Sequence, residues 1–241
     1  MRHPERQLRR QMLQFGRLCY ERRLLVGLDG NLSARIDDEL VLCTRAGCHK
    51  GLLTDDDLLV VGPSSTRVRG YGDPTSEIAM HLACYRVRPD VEAVIHAHPP
   101  TCIAFSVAGV SLATCVLPEM VLTLGTIPTL PYETTGTRAL AEAVGTAARA
   151  HDAVLLDHHG VVTLGGSLLE AFCRLETVEH TATILKAARD LGGVASLPPE
   201  ESAHLRKLGL ARYGGPPDAV ASLDEPFADL PAACKTGPSR G

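Results

Sequence analysis

Twenty consecutive residues, Pro99 to Pro118, carry no charge. A run of that length has to be kept from water, in a bilayer or inside a folded core. Pro, Gly, Ser and Thr interrupt it, and His96 and His98 stand just before it, so it reads as core and no membrane partner is expected. Apolar residues make up 45% and charged residues 22% of the 241-residue chain, the proportions of a soluble globular protein. A chain of this length buries roughly 70–75% of the surface its unfolded form exposes, and needs neither disulfide nor structural metal. The net charge of −4 lacks the basic surplus that nucleic-acid binding requires. No apolar run of signal-peptide type follows Arg2, Arg6, Arg9 and Arg10. Eight cysteines without a short repeated spacing are expected as free thiols in a reducing, cytoplasmic setting.

Hydrophobic periodicity divides the chain into short strands and longer helices. Helical spacing is expected from Glu5 to about Val26, where Gly27 and Gly30 stop it. Leu32–Ile36, Leu40–Cys43 and Leu58–Val61 read as strands, and 62–74 as a loop. A helix is expected to start at Thr75–Ser76–Glu77 and end before Pro89. Val91–His98 alternates as a strand, and a helix-like run follows from Cys102 to Ala108. Short strands are expected near Val116 and Ile127, and a helix from about Thr137 to Ala150. Ala153–Asp157 and Val161–Leu164 read as strands, and Leu168–Leu191 as the longest helix. Residues 1–194 are expected to form one domain, and 195–241, rich in Pro, Gly and Ala, a partly disordered tail. Short strands interleaved with helices indicate a layered α/β fold.

The sharpest chemical feature is Val94-Ile95-His96-Ala97-His98. Alternate residues of a strand share a face, so His96 and His98 project together. Two neutral imidazoles at that spacing suit one Zn²⁺ or similar ion, although the pair alone also fits a partly exposed strand end. A catalytic metal site takes three protein ligands and an open position. The turn His158–His159–Gly160, after the apolar strand Ala153–Asp157, offers a third; spacing does not choose between its two histidines. Glu77 reads either as a first-turn carboxylate favoured by the helix dipole or as an acid–base group beside the metal. Gly30-Asn31-Leu32-Ser33, Thr44 with Gly47, and Thr75-Ser76 are small-polar clusters able to supply donors to a phosphate.

Six segments in order, GNLSARI, CTRAGCHKGL, PTSEIAMHLACY, RPDVEAVIHAHPP, LPYETTGTRALAE and AVLLDHHGVVTLG, resemble the class II aldolase/adducin family. That group includes L-fuculose-phosphate aldolase and ribulose-phosphate 4-epimerase. The resemblance implies a three-layer α/β/α sandwich around a mixed, largely antiparallel sheet, and a homotetramer with active sites at subunit interfaces. It places the metal ligands at His96, His98 and His159, with His158 as a neighbour, and the ion as Zn²⁺ or else Mn²⁺ or Co²⁺. It makes Glu77 the catalytic acid/base and Gly30, Asn31, Gly47, Thr75 and Ser76 the phosphate-binding positions; Thr44 is grouped with them.

Two departures stand out. Ala46 precedes Gly47 where the fuculose-phosphate type has Thr, which removes a hydroxyl donor. The proton-donor tyrosine of that enzyme would fall near Leu117. In its place stands Glu119, the only charged residue between His98 and Glu133, resembling the catalytic acid position of the methylthioribulose-phosphate dehydratase branch. Tyr213 is a further candidate if the C-terminal segment folds over the site. The expected function is a metal-dependent aldolase acting on a ketose 1-phosphate or related hydroxy-ketone through a metal-bound enediolate. The alternatives are dehydratase, decarboxylase or 4-epimerase chemistry on a sugar phosphate or sugar acid. A non-catalytic adducin-like module would lack the histidines, and a metal hydrolase would leave GNLSARI and PTSE unexplained.

Overall fold

A computed structural model describes residues 4–216 of the chain. Among these residues eight strands form one sheet: β1 (Asn31–Arg35), β2 (Val41–Thr44), β3 (Leu58–Val61), β4 (Arg67–Arg69), β5 (Ala93–Ala97), β6 (Thr129–Leu130), β7 (Ala153–Leu156) and β8 (Gly160–Gly165). Their spatial order is β4-β3-β2-β1-β5-β8-β7-β6. Every neighbouring pair is antiparallel except β6 with β7, which is parallel.

Among the described residues there are seven α-helices, α1 (Glu5–Glu21), α2 (Ile78–Val87), α3 (Pro100–Val107), α4 (Pro118–Leu124), α5 (Arg138–Ala147), α6 (Leu168–Asp190) and α7 (Pro199–Tyr213), which flank the sheet except for α7, which packs on α4. Alternation along the strands sends side chains into two separate cores. Leu32, Ala34, Ile95 and Leu155 pack with α1, α3, α4 and α6 on one face. Val94, Val154, Leu156 and Val162 pack with α2 and α5 on the other. With both faces covered, β1, β5, β7 and β8 are buried along their whole length; β7 reads as a continuous apolar run, whereas β1 and β5 bury the polar Asn31, Ser33, Arg35 and His96. The architecture is the three-layer α/β/α sandwich with a mixed, largely antiparallel sheet.

The twenty-residue uncharged run contributes Cys102, Phe105, Leu112 and Cys115 to this core, while Val107, Ala108 and Gly109 are exposed. Among the described residues no helix is long and apolar enough to cross a membrane. The seven cysteines described are free, six of them buried.

Four local expectations change. Val116 lies in an extended connection, not a strand, and α4 follows it with Pro118 at its first position, where a missing N–H costs nothing. The strand expected near Ile127 forms two residues later, as β6. The loop over 62–74 contains β4, an exposed edge strand bearing Arg67 and Arg69, a composition that blocks further strand addition. In the segment expected as a loose tail, α7 forms and docks on α4, burying Leu205; residues 217–241 lie outside the described residues.

Candidate active site

The paired strands β1 and β5 set Asn31 directly beside His96, and the β5–β8 pairing brings the turn before β8 to the same sheet end. His96 Nε2 lies 3.1 Å from His98 Nε2 and 3.2 Å from His159 Nε2. The backbone around them is closely fitted. Gly30 has φ +67°, and a Cβ there would meet the His96 carbonyl at 2.6 Å. At Gly160 a Cβ would come within 2.8 Å of the His98 ring and 3.1 Å of the His96 ring. Glycine is therefore required at both places. His158 adopts the left-handed region (φ 55°) and turns outward onto Asp157 Oδ1 at 2.8 Å, leaving His159 to face the triad.

The protonation pattern follows from the partners. His96 Nδ1 donates to the Val161 carbonyl at 3.1 Å, which leaves the Nε2 lone pair facing its neighbours. His98 Nδ1 faces Asp29 Oδ2 at 3.4 Å. Burial, reinforced by the neighbouring imidazoles, pushes His98 down to about 4 and lowers His159 as well. Both shifts favour the neutral ring, the form a metal needs.

Glu77, the residue capping α2, closes the site. Its Oε2 lies 3.3 Å from His96 Nε2 and its Oε1 3.3 Å from His159 Nε2. Burial by itself would raise this carboxyl. Hydrogen bonding and positive potential from His96, the Asn31 donor and His159 outweigh that, and hold it well below the usual carboxylate range. Glu77 Oε1 is buried without a hydrogen-bond partner. Converging imidazole lone pairs beside an orphaned carboxylate oxygen are a donor set that fits a divalent cation. His96, His98 and His159 could hold one.

A cleft of about 300 Å³ opens over this cluster, and Gly30, Asn31, Gly47, Thr75, Ser76, Glu77, His98 and His159 line it. Three expected residues are placed elsewhere. Thr44 is fully buried and its hydroxyl accepts the Leu32 N–H at 3.3 Å, so it is not among the lining residues. Glu119 is exposed in the first turn of α4 and lines a separate groove of about 840 Å³ with Arg22 and His180. Solvent, not a buried partner, satisfies its charge. Tyr213, at the end of α7, is 50% exposed and does not line the cleft.

Sequence reasoning missed Asp29, Arg45, Lys50 and Thr135, which also line the cleft. Lys50 is buried, and its ammonium donates to the Leu28 and Cys48 carbonyls at 2.6 and 2.8 Å. A cation inside a motif already singled out, CTRAGCHKGL, was the available signal.

A model of the class II aldolase and adducin N-terminal domain matches residues 10–185. The chain belongs to the class II aldolase and adducin family. It is 37% identical to an L-fuculose phosphate aldolase of Methanococcus vannielii, over 73% of this chain and 93% of that protein. It is 32% identical to a 3-oxo-tetronate 4-phosphate decarboxylase of Cupriavidus necator, over 87% of this chain and 99% of that protein. The crystal structure of an L-fuculose-1-phosphate aldolase from Thermus thermophilus superposes with a TM-score of 0.70 at 31% identity, covering 78% of this chain and 98% of that one. Class II aldolases are divalent-metal-dependent enzymes, and the histidine triad lies within the matched region.

Proposed function

We propose that the chain is a divalent-metal-dependent carbon–carbon lyase of the aldolase type, acting on a ketose 1-phosphate or a related hydroxy-ketone. The observation that carries this reading is the convergence of three imidazoles and the orphaned Glu77 oxygen under one cleft. Zn²⁺, or Mn²⁺ or Co²⁺, held by His96, His98 and His159 would supply Lewis acidity toward a carbonyl oxygen.

The activities named for the two relatives differ in the bond that breaks. Aldol cleavage takes the proton of the β-hydroxyl and breaks the bond between the α and β carbons. Decarboxylation breaks the bond to a carboxylate and releases CO₂. In both, the electron pair stays on the α carbon as an enediolate. For a ketose 1-phosphate and for a 3-oxo-tetronate 4-phosphate the three-carbon product is the same, dihydroxyacetone phosphate. Glu77, held ionised, takes a proton from the carbon beside the carbonyl in the synthetic direction; in cleavage the β-hydroxyl proton leaves to solvent through the second acid–base group, and Glu77 takes up a solvent proton and gives it to that carbon. Help of this kind is typically worth about 10²–10⁴ in rate.

Gly30, Asn31, Gly47, Thr75 and Ser76 would receive the anionic end of the substrate. Lys50 in the same wall adds positive charge where Ala46 supplies no hydroxyl. Glu119 shares no cleft with Glu77 in one chain; in a homotetramer with sites at subunit boundaries, Glu119 of a second copy would be the second acid–base group. The decarboxylase reading is supported by the longer alignment to that relative, and a dehydratase or 4-epimerase would use the same enediolate. Free buried thiols support a cytoplasmic setting.

The test is exchange of the dihydroxyacetone phosphate C–H proton in D₂O, followed by NMR on metal-loaded protein. Cleavage of L-fuculose 1-phosphate and native mass are measured in parallel. Exchange that disappears on chelation and in Glu77→Gln is the expected result. A folded tetramer that exchanges nothing with any divalent ion would overturn the lyase reading in favour of a non-catalytic assembly module.

A further inference from the structure

Behind Glu77, Asn31 leads into a line of side chains, His81, Ser33 and Tyr85, that the proposed chemistry does not touch. Asn31 Nδ2 donates to Glu77 Oε2 at 2.9 Å, and Asn31 Oδ1 lies 2.6 Å from His81 Nε2. His81 Nδ1 lies 2.7 Å from Ser33 Oγ, which lies 2.8 Å from the Tyr85 hydroxyl. Ser33 and His81 are completely buried, and Asn31 and Tyr85 nearly so. The line joins two stripes. Asn31 and Ser33 are alternate residues of β1 and share a face of the sheet. Glu77, His81 and Tyr85 succeed one another every four residues along α2 and its cap, on one face of the helix.

Only one arrangement of protons satisfies all four contacts when Glu77 is ionised and His81 is neutral. The carboxylate can only accept, so Asn31 turns its NH₂ toward Glu77 and its carbonyl toward His81. That carbonyl can only accept, so His81 carries its proton on Nε2. Burial disfavours the imidazolium and pushes His81 down to about 3, which leaves Nδ1 as an acceptor. Ser33 must then donate to Nδ1, and Tyr85 must donate to Ser33. Reversing any one member would set two lone pairs or two protons against each other in a buried site.

We propose that His81, backed by Ser33 and Tyr85, is a positioning residue that orients Asn31 and through it fixes the Glu77 carboxylate beside the imidazole triad. The function rests on the reading of Glu77 as the proton-moving group; the tautomer does not. Without the His81 N–H the Asn31 amide is free to rotate, and Glu77 loses the donor that aims it. Misplacement of a reacting group by about 1 Å can cost about 10²-fold in rate.

The first measurement is solid-state ¹⁵N NMR of metal-loaded protein labelled at histidine, with His81→Gln used to locate the His81 resonances. A neutral ring protonated at Nε2 is expected. A ring protonated at Nδ1, or an imidazolium, would overturn the proposal whatever the substrate. The second compares His81→Gln, whose amide can still donate toward Asn31, with His81→Leu in dihydroxyacetone phosphate exchange. The Gln variant is expected within about 3-fold of the unaltered protein. The Leu variant is expected to lose about 10-fold or more in kcat, with KM and metal content unchanged. Loss of exchange in Glu77→Gln with none in His81→Leu would remove the positioning role alone. Undiminished exchange in Glu77→Gln would instead remove the reading of Glu77 and the functional half of the proposal with it, while the tautomer result stands.

Discussion

The triad depends on single residues whose substitution has separable consequences. His96 is the innermost of the three rings and is completely buried. His96→Ala removes one donor and is expected to abolish metal binding while the chain stays folded. Elemental analysis with circular dichroism checks this, and full metal occupancy in the variant would refute the site. Gly160→Ala places a methyl group against both His96 and His98. Overpacking of this kind costs typically about 1–3 kcal/mol, so metal affinity is expected to fall by about 10-fold or more with every ligand still present; calorimetric titration with Zn²⁺ reads it. Glu77→Gln keeps the shape but removes the ionised acceptor, and is expected to leave the fold and eliminate turnover.

At the scale of elements, the site depends on helices that hold the turns around it. The first turn of α3 follows directly on the β5 histidines, and Glu179 of α6 secures it by accepting from the Thr101 and Cys102 N–H groups, both at 3.0 Å. A carboxylate that satisfies the free donors of a helix start is worth about 1–2 kcal/mol. Glu179→Ala is expected to lower stability by about that amount in urea unfolding, and Glu179→Gln by less. Helix α7 is held differently: Gly209 sits against the Leu122 backbone, where a Cβ would come within 2.9 Å of the carbonyl carbon. That close approach lets α7 bury Leu205 against the core.

For the molecule as a whole, the buried histidines predict how stability changes with acid. His81 titrates near 6.5 when unfolded and is pushed down to about 3 in the fold. The unfolded chain therefore binds a proton over that window that the native one does not, and stability falls as pH drops below about 6.5. His98 and His159 shift in the same direction. Glu77, lowered in the fold, adds a loss that begins only as pH falls through its unfolded value of about 4.5. His81 alone is expected to cost about 2 kcal/mol between pH 7 and pH 5. Urea unfolding of the metal-free protein at both pH values reads the loss, and His81→Gln should flatten it by that amount.

The sequence by itself determined the strand that carries His96 and stops one residue short of His98, because a period of two is a local property of the backbone and needs no partner. It likewise determined the long helix α6 and a helix beginning near Glu77, although α2 starts only at Ile78 and leaves Glu77 at the N-cap position instead of in the first turn. The order of its motifs determined the family and with it the three layers. Tertiary structure decided what meets across the chain. His96 and His159 are 63 residues apart, and only the β5–β8 pairing brings their rings together. It decided that Thr44 faces inward, that Glu119 borders a different groove from Glu77, and that Pro118–Leu124 is a helix. A short apolar run is compatible with either element until its neighbours select one. The line from Tyr85 to Glu77 shows both origins: each stripe follows from a local period, but which stripe faces which follows only from packing α2 against β1.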